Sequence, residues 1–203
     1  MRDDYQYIDP DDIYTNPKTG VLWNLAGATD HSALTFTEAA ATAKRANELR
    51  VKPIRVIDSG TLFAIHRHLF QDLYNWAGER RKVEISKSGK QFFPLSHFDN
   101  ALKYINDLLE EYKRIDMQDK SKLSRKLAEI LDAVNYFHPF RDGNGRTQRE
   151  FVRFLALEKG WELNLNPPDN MEVFDRYMAG TINGDVNILT DLIHDCLMAV
   201  KIM

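Results

Sequence analysis

Apolar residues recur at helical spacing along most of the chain. In TLFAIHRHLFQDLYNW, residues 61–76, a broad stripe of Leu62, Phe63, Ile65, Leu69, Phe70, Leu73 and Trp76 predicts a single helix. HFDNALKYINDLLEEYKR carries Leu102, Ile105, Leu108, Leu109 and Tyr112 on one face. SKLSRKLAEILDAVNYF carries Leu123, Leu127, Ile130, Leu131, Val134 and Phe137. Helical spacing returns in TQREFVRFLALEKG, which stops at Gly160, and in PPDNMEVFDRYMAG and VNILTDLIHDCLMAV. Upstream, EAAATAKRANEL is rich in alanine and straight-chain residues, with Thr37 as its predicted N-cap. The period breaks in GERRKVEISKSGKQFFP, where β-branched and aromatic residues flank KSGK and predict a short hairpin with a glycine turn. Residues 1–30 hold the turn sequences DPDD, TNPKTG and GATD and read as an irregular arm packed on a domain formed by residues 31–203. No repeat, low-complexity tract or linker interrupts that domain. The expected fold is mostly α, a single domain with one small β-hairpin.

Composition narrows the function classes without naming one. A chain of 203 residues with 43% hydrophobic and 28% charged residues is long enough for a substantial core and ordinary for a globular protein. The net charge of -3 provides no global basic field for nucleic acid, so any polyanion must be held by local charge. No apolar run approaches the ~20 residues of a membrane helix, and the acidic start MRDDYQYIDPDD is no secretory signal. The single cysteine, Cys196, reads as a small packing residue in a reducing compartment. His66, His68 and Glu79 lack zinc-ligand spacing, and SKSGK lacks the first glycine of a phosphate-binding P-loop. Arg80, Arg81 and Lys82 read as a solvated charged face.

The chemistry concentrates in HPFRDGNGR, residues 138–146. Pro139 discourages helix at His138, and a new helix is expected from about Arg146 or Thr147, which puts the glycines in a loop that opens a helix. Such a loop presents unpaired backbone N–H groups and the positive end of a helix dipole, an anion site. Gly143 and Gly145 permit backbone conformations other residues resist. Arg146 and Arg149, three residues apart on one helix face, add forked cations suited to phosphate. Asp142 is a hard oxygen ligand beside that anion site, as Mg²⁺ with a nucleotide requires. His138 titrates near neutral pH and is the natural general base. Together these residue types fit phosphoryl or nucleotidyl transfer.

HPFRDGNGRTQR resembles the signature of the Fic family, HPFx[DE]GNGRxxR, with no mismatch. The resemblance runs from about Tyr14 to the C-terminus and includes YTNPKTGVLWNLAG and LFQDLYNWAGERR, which are similar to segments of class I FicT-like toxins of bacterial toxin–antitoxin modules and of Fic domains in secreted effectors. It implies a Fic-type helical domain and transfer of AMP from ATP to a hydroxyl side chain of a target protein. By position, His138 would deprotonate the hydroxyl and Asp142 would hold Mg²⁺. Gly143, Asn144 and Gly145 would nest the α- and β-phosphates, Arg146 would hold the β-phosphate and Arg149 the γ-phosphate. Phe140 would anchor the loop of residues 138–149 in the core. The hairpin at about residues 80–93 would be a flap that pairs with the target's backbone, with Lys87 reaching the nucleotide. Tyr177, Asn183 and Asp185 lie where such proteins build the adenosine pocket. Kinase relatives carry lysine where Gly145 stands.

The resemblance also bears on regulation. Many Fic proteins silence themselves with [ST]xxxE[GN], whose glutamate meets the second motif arginine. No glutamate in this chain has Ser or Thr four residues before it. The expected partner is therefore a small antitoxin chain supplying a glutamate toward Arg149. The expected target is a subunit of DNA gyrase or topoisomerase IV in the bacterial cytoplasm, with no direct contact to nucleic acid or membrane. Three other readings stay open: a silent nucleotide- or partner-binding module, an effector acting on host small GTPases, and transfer of phosphate or phosphocholine.

Overall fold

The computed structural model describes residues 5–7 (backbone only), 9, 11–87 and 89–200. Among them, seven α-helices dominate: α1 (His31–Val51), α2 (Thr61–Phe70), α3 (Phe98–Lys113), α4 (Lys120–Phe137), α5 (Asn144–Glu158), α6 (Met171–Asn183) and α7 (Val186–Cys196). The mostly helical expectation is met. Helix α4 is the axis of the fold, packing against α3, α5 and α7, while α2 sits between α1 and α5. Every residue of the predicted α4 stripe, from Leu123 to Phe137, is buried. Each such side chain contributes about 1.5–3 kcal/mol when removed from water, which makes this helix the rigid support for whatever follows Phe137.

Several boundaries differ from the sequence reading for local reasons. Helix α1 starts six residues before Thr37 because Asp30 is its cap, Oδ1 accepting the Ala33 N–H at 2.8 Å. Thr37 lies inside the helix with its hydroxyl on the Ala33 carbonyl. Helix α2 stops at Phe70, and the apolar pattern continues through turns that bury Leu73, Tyr74 and Trp76. Helix α5 begins at Asn144, so Gly143 is its N-cap and Asn144 and Gly145 belong to its first turn. Helix α7 ends at Cys196, and Met198–Ala199 (β5) pairs antiparallel with Trp161–Glu162 (β4). The Cys196 thiol is half-buried, and burial pushes it above its ordinary pKa.

The hairpin is present as β2 (Ile85–Lys87) and β3 (Lys90–Gln91), joined through Gly89 at φ 77°; Ser88 of the predicted KSGK turn lies outside the described residues. It carries a third strand that the sequence reading missed. Residues 5–7 (β1) pair antiparallel with β2 in the register Tyr5 to Lys87 and Tyr7 to Ile85, giving the order β1-β2-β3. Residues 11–30 are irregular and bury Tyr14, Val21 and Leu22 against the core.

Candidate active site

The chain turns sharply after α4. His138 takes a left-handed conformation (φ 45°, ψ 58°), a strained state for a non-glycine residue, and Pro139 keeps helix from continuing. Three contacts hold it there. Its N–H donates to the Val134 carbonyl at 3.1 Å, its carbonyl accepts from Arg81 Nε at 3.0 Å, and its ring stacks on Phe92 with centroids 3.6 Å apart. Nδ1 lies 2.9 Å from the Asn135 carbonyl, an acceptor only, so Nδ1 carries the proton and Nε2 the lone pair. Burial pushes the imidazole pKa down to about 3, so the ring is neutral at physiological pH.

Arg81 ties this turn to the hairpin. It was expected on a solvated face, yet its side chain is buried. The guanidinium donates to the carbonyls of His138, Val83 and Phe93, while the Arg81 N–H donates to the Pro139 carbonyl at 2.7 Å. One cation thereby satisfies carbonyls at both roots of the hairpin and at the loop.

The loop rests on a second buried histidine. His66 of α2 accepts the Gly78 N–H at Nδ1 (2.8 Å), which assigns its proton to Nε2, and Nε2–H donates to the Asp142 carbonyl at 3.0 Å. Its ring stacks on Phe140 at 3.8 Å and Phe70 at 4.6 Å, and burial lowers its pKa to about 3. Phe140, the expected anchor, is buried in that stack. Asn144 clamps the turn with its side chain, Oδ1 accepting the Phe140 N–H at 3.0 Å and Nδ2 donating to the Phe140 carbonyl at 2.8 Å. Gly143 has φ 79°, and a Cβ there would fall 2.4 Å from the Phe70 ring, so both conformation and space demand glycine.

His138, Asp142, Gly143, Asn144, Gly145, Arg146, Arg149 and Lys87 all line one cleft of about 750 Å³. The N-terminus of α5 lines it, and there backbone N–H groups and the helix dipole favour an anion. Arg146 lies 4.6 Å over the Phe70 ring and pairs with Glu38 at 2.6 Å. Arg149 lies over Tyr177 at 5.1 Å and Phe174 at 5.9 Å, with no carboxylate within 4.0 Å among the described residues. Asp142 Oδ1 accepts the Gly143 N–H. No three His, Cys, Asp or Glu side chains converge to hold a metal among the described residues, so the protein alone builds no cage. One carboxylate beside an anion site still fits Mg²⁺, which takes one or two carboxylates together with phosphate oxygens.

Of the expected adenosine-pocket residues, only Tyr177 lines the cleft, its hydroxyl bonded to Gln148 Nε2 at 2.5 Å. Asn183 instead lines a neighbouring cavity of about 500 Å³, and Asp185 caps α7 through the Asn187 and Ile188 N–H groups. The sequence reading also missed Glu38, Tyr74, Phe92, Asn135 and Gln148, of which only Gln148 lies in a motif, at a variable position of HPFRDGNGRTQR. The one available signal was Glu38, an acid at i+4 from Leu34 on an otherwise alanine-rich helix.

Residues 56–156 match the Fic/DOC family. Protein adenylyltransferase VbhT from Bartonella schoenbuchensis is 32% identical over 189 residues, spanning 93% of this chain and 39% of that longer protein. A relative from Sinorhizobium fredii named "Probable protein adenylyltransferase y4lH" is 30% identical over 87% of this chain and 93% of its own length. The N-terminal Fic domain of a VirB-translocated Bep effector protein from Bartonella quintana, solved with bound ADP, superposes with a TM-score of 0.81 over 93% of this chain and 95% of that one; at 24% identity the likeness is one of fold. With the motif, the fold and these relatives in agreement, the chain belongs to the Fic/DOC family.

Proposed function

We propose that this chain is a protein adenylyltransferase that moves AMP from ATP to a hydroxyl side chain of a target protein. The observation that supports this most is the shared cleft: a neutral His138 and the N-terminus of α5, with Arg146 and Arg149, line the same 750 Å³ space. In this reading the triphosphate lies along the first turn of α5, its β-phosphate on Arg146 and its γ-phosphate on Arg149. The target hydroxyl attacks the α-phosphorus, His138 Nε2 takes the hydroxyl proton, and pyrophosphate leaves. Asp142 would hold Mg²⁺ jointly with phosphate oxygens, and the ion would neutralise charge on the leaving group.

In this reading the hairpin positions the target. Strand β2 has β1 on one side and β3 on the other, so a target backbone can add only at an outer strand, and β3 is the one assigned to it here because it leads into Phe92. Phe92, which follows β3, stacks on His138, so a strand added there runs beside the base. The first targets to assay are gyrase and topoisomerase IV subunits. Arg149, flanked by two aromatic rings, would also receive the glutamate of a small antitoxin chain, which would then occupy the γ-phosphate position.

The test uses α- and γ-labelled ATP with Mg²⁺, bacterial lysate and purified topoisomerase subunits, with His138→Ala alongside. Label on protein from the α position alone, lost in the variant, is the expected result. Transfer of the γ label would make the chain a kinase. Intact ATP binding without transfer of either label would favour a silent binding module.

A further inference from the structure

Glu38 is a buried charge that the motif does not explain. It sits on α1, 108 positions before Arg146, and its side chain is only 9% exposed. Oε1 accepts from Arg146 Nη2 at 2.6 Å, and Oε2 accepts the Tyr74 hydroxyl proton. Tyr74 is itself buried and stacked on Trp76 at 4.3 Å; burial and the adjacent Glu38 push its hydroxyl above the ordinary tyrosine pKa, so it stays a donor. Glu38 is therefore fixed from behind before it meets the arginine. The Phe70 ring lies under the Arg146 guanidinium, and Asp142 Oδ1 is 3.6 Å from Nη2.

A carboxylate beside an anion site weakens that site's positive potential, and its burial costs free energy unless it is paired. Its compensating effect is geometric. Guanidinium has five N–H donors in a rigid plane, so engaging Nη2 and stacking the face on Phe70 leaves the remaining donors in a set direction along the cleft. Arg149 has aromatic neighbours but no such clamp among the described residues.

We propose that Glu38, held by Tyr74, is a positioning residue that aims Arg146 at the second phosphate of the bound nucleotide. The proposal rests on the nucleotide reading of the cleft and predicts an effect that depends on phosphate number. Binding of ADP and of AMP would be measured by calorimetry for the wild type, Glu38→Gln, Tyr74→Phe, Arg146→Ala and the Glu38→Gln/Arg146→Ala double variant, with a thermal melt for each. Glu38→Gln is expected to weaken ADP at least about tenfold while AMP stays within about twofold, the scale of one charge-assisted hydrogen bond. Tyr74→Phe should act in the same direction by about threefold, and it carries the test if Glu38→Gln does not fold. The double variant should bind ADP no worse than Arg146→Ala alone, because the glutamate acts only through that arginine. Unchanged ADP binding in Glu38→Gln overturns the proposal. Tighter ADP binding overturns it too, and would make Glu38 a competitor of phosphate. Equal weakening of ADP and AMP reduces Glu38 to a structural residue. A wild-type chain that binds neither nucleotide removes the nucleotide reading itself, and this proposal with it.

Discussion

The two buried histidines of this protein have the same protonation state and different surroundings. His66 and His138 both stack on phenylalanine, and burial brings both pKa values to about 3. His66 spends both ring nitrogens on backbone groups, the Gly78 N–H and the Asp142 carbonyl. His138 spends Nδ1 on Asn135 and lines the cleft. Desolvation therefore decides only that each ring is neutral. The roles proposed for them differ through the second nitrogen, which His66 commits to the Asp142 carbonyl.

The comparison breaks first at His138. Replacing it with alanine should lower transfer by about 10²–10⁴-fold while nucleotide binding persists, since a general base acts on the hydroxyl proton and not on phosphate affinity. Labelled-AMP transfer beside calorimetry would check this, and transfer surviving in the variant would remove His138 from the chemistry.

The pH dependence of stability treats both histidines alike. Above their ordinary pKa of 6.5 both rings are neutral folded or unfolded, so neither contributes to pH dependence. As pH falls below 6.5 the unfolded chain takes up protons that the folded chain refuses until about pH 3. Stability is thus lost toward acid, by about 1.4 kcal/mol per pH unit for each histidine. Urea melts at pH 7, 6 and 5 should show the slope, and removing either ring should reduce it.

His66→Phe should cost about 2–4 kcal/mol, because the ring's stacking is retained while the Gly78 N–H and the Asp142 carbonyl lose their partners. Activity should then fall only as far as the loop loosens, which sets this variant apart from His138→Ala. A smaller loss, about 1–3 kcal/mol, is expected for Gly143→Ala, whose Cβ must displace the Phe70 ring from a positive-φ position. A melting temperature equal to wild type would contradict either prediction.

Much of the fold was legible because it is written locally. The α4 stripe from Leu123 to Phe137 reads directly as a buried face, and the proline and glycines of HPFRDGNGR mark a loop that opens into a helix. Helix α1 was harder, because two of its four buried positions, Glu38 and Thr42, are polar and hide the stripe. Arg81 looked like surface charge because ERRK contains nothing that announces three carbonyls waiting elsewhere. Strand β1 was invisible for a similar reason: three residues carry no periodicity, and pairing with β2 requires the hairpin to exist first.

The sequence by itself determined the helices, the hairpin and the identity of the groups on the loop, since helical period, turn chemistry and motif spacing act within a few residues. Tertiary structure alone decided which charges are buried and what they face. Glu38 meets Arg146 across 108 positions and His66 meets Asp142 across 76, and such pairs form only when separate helices pack and exclude the water that would otherwise solvate each group.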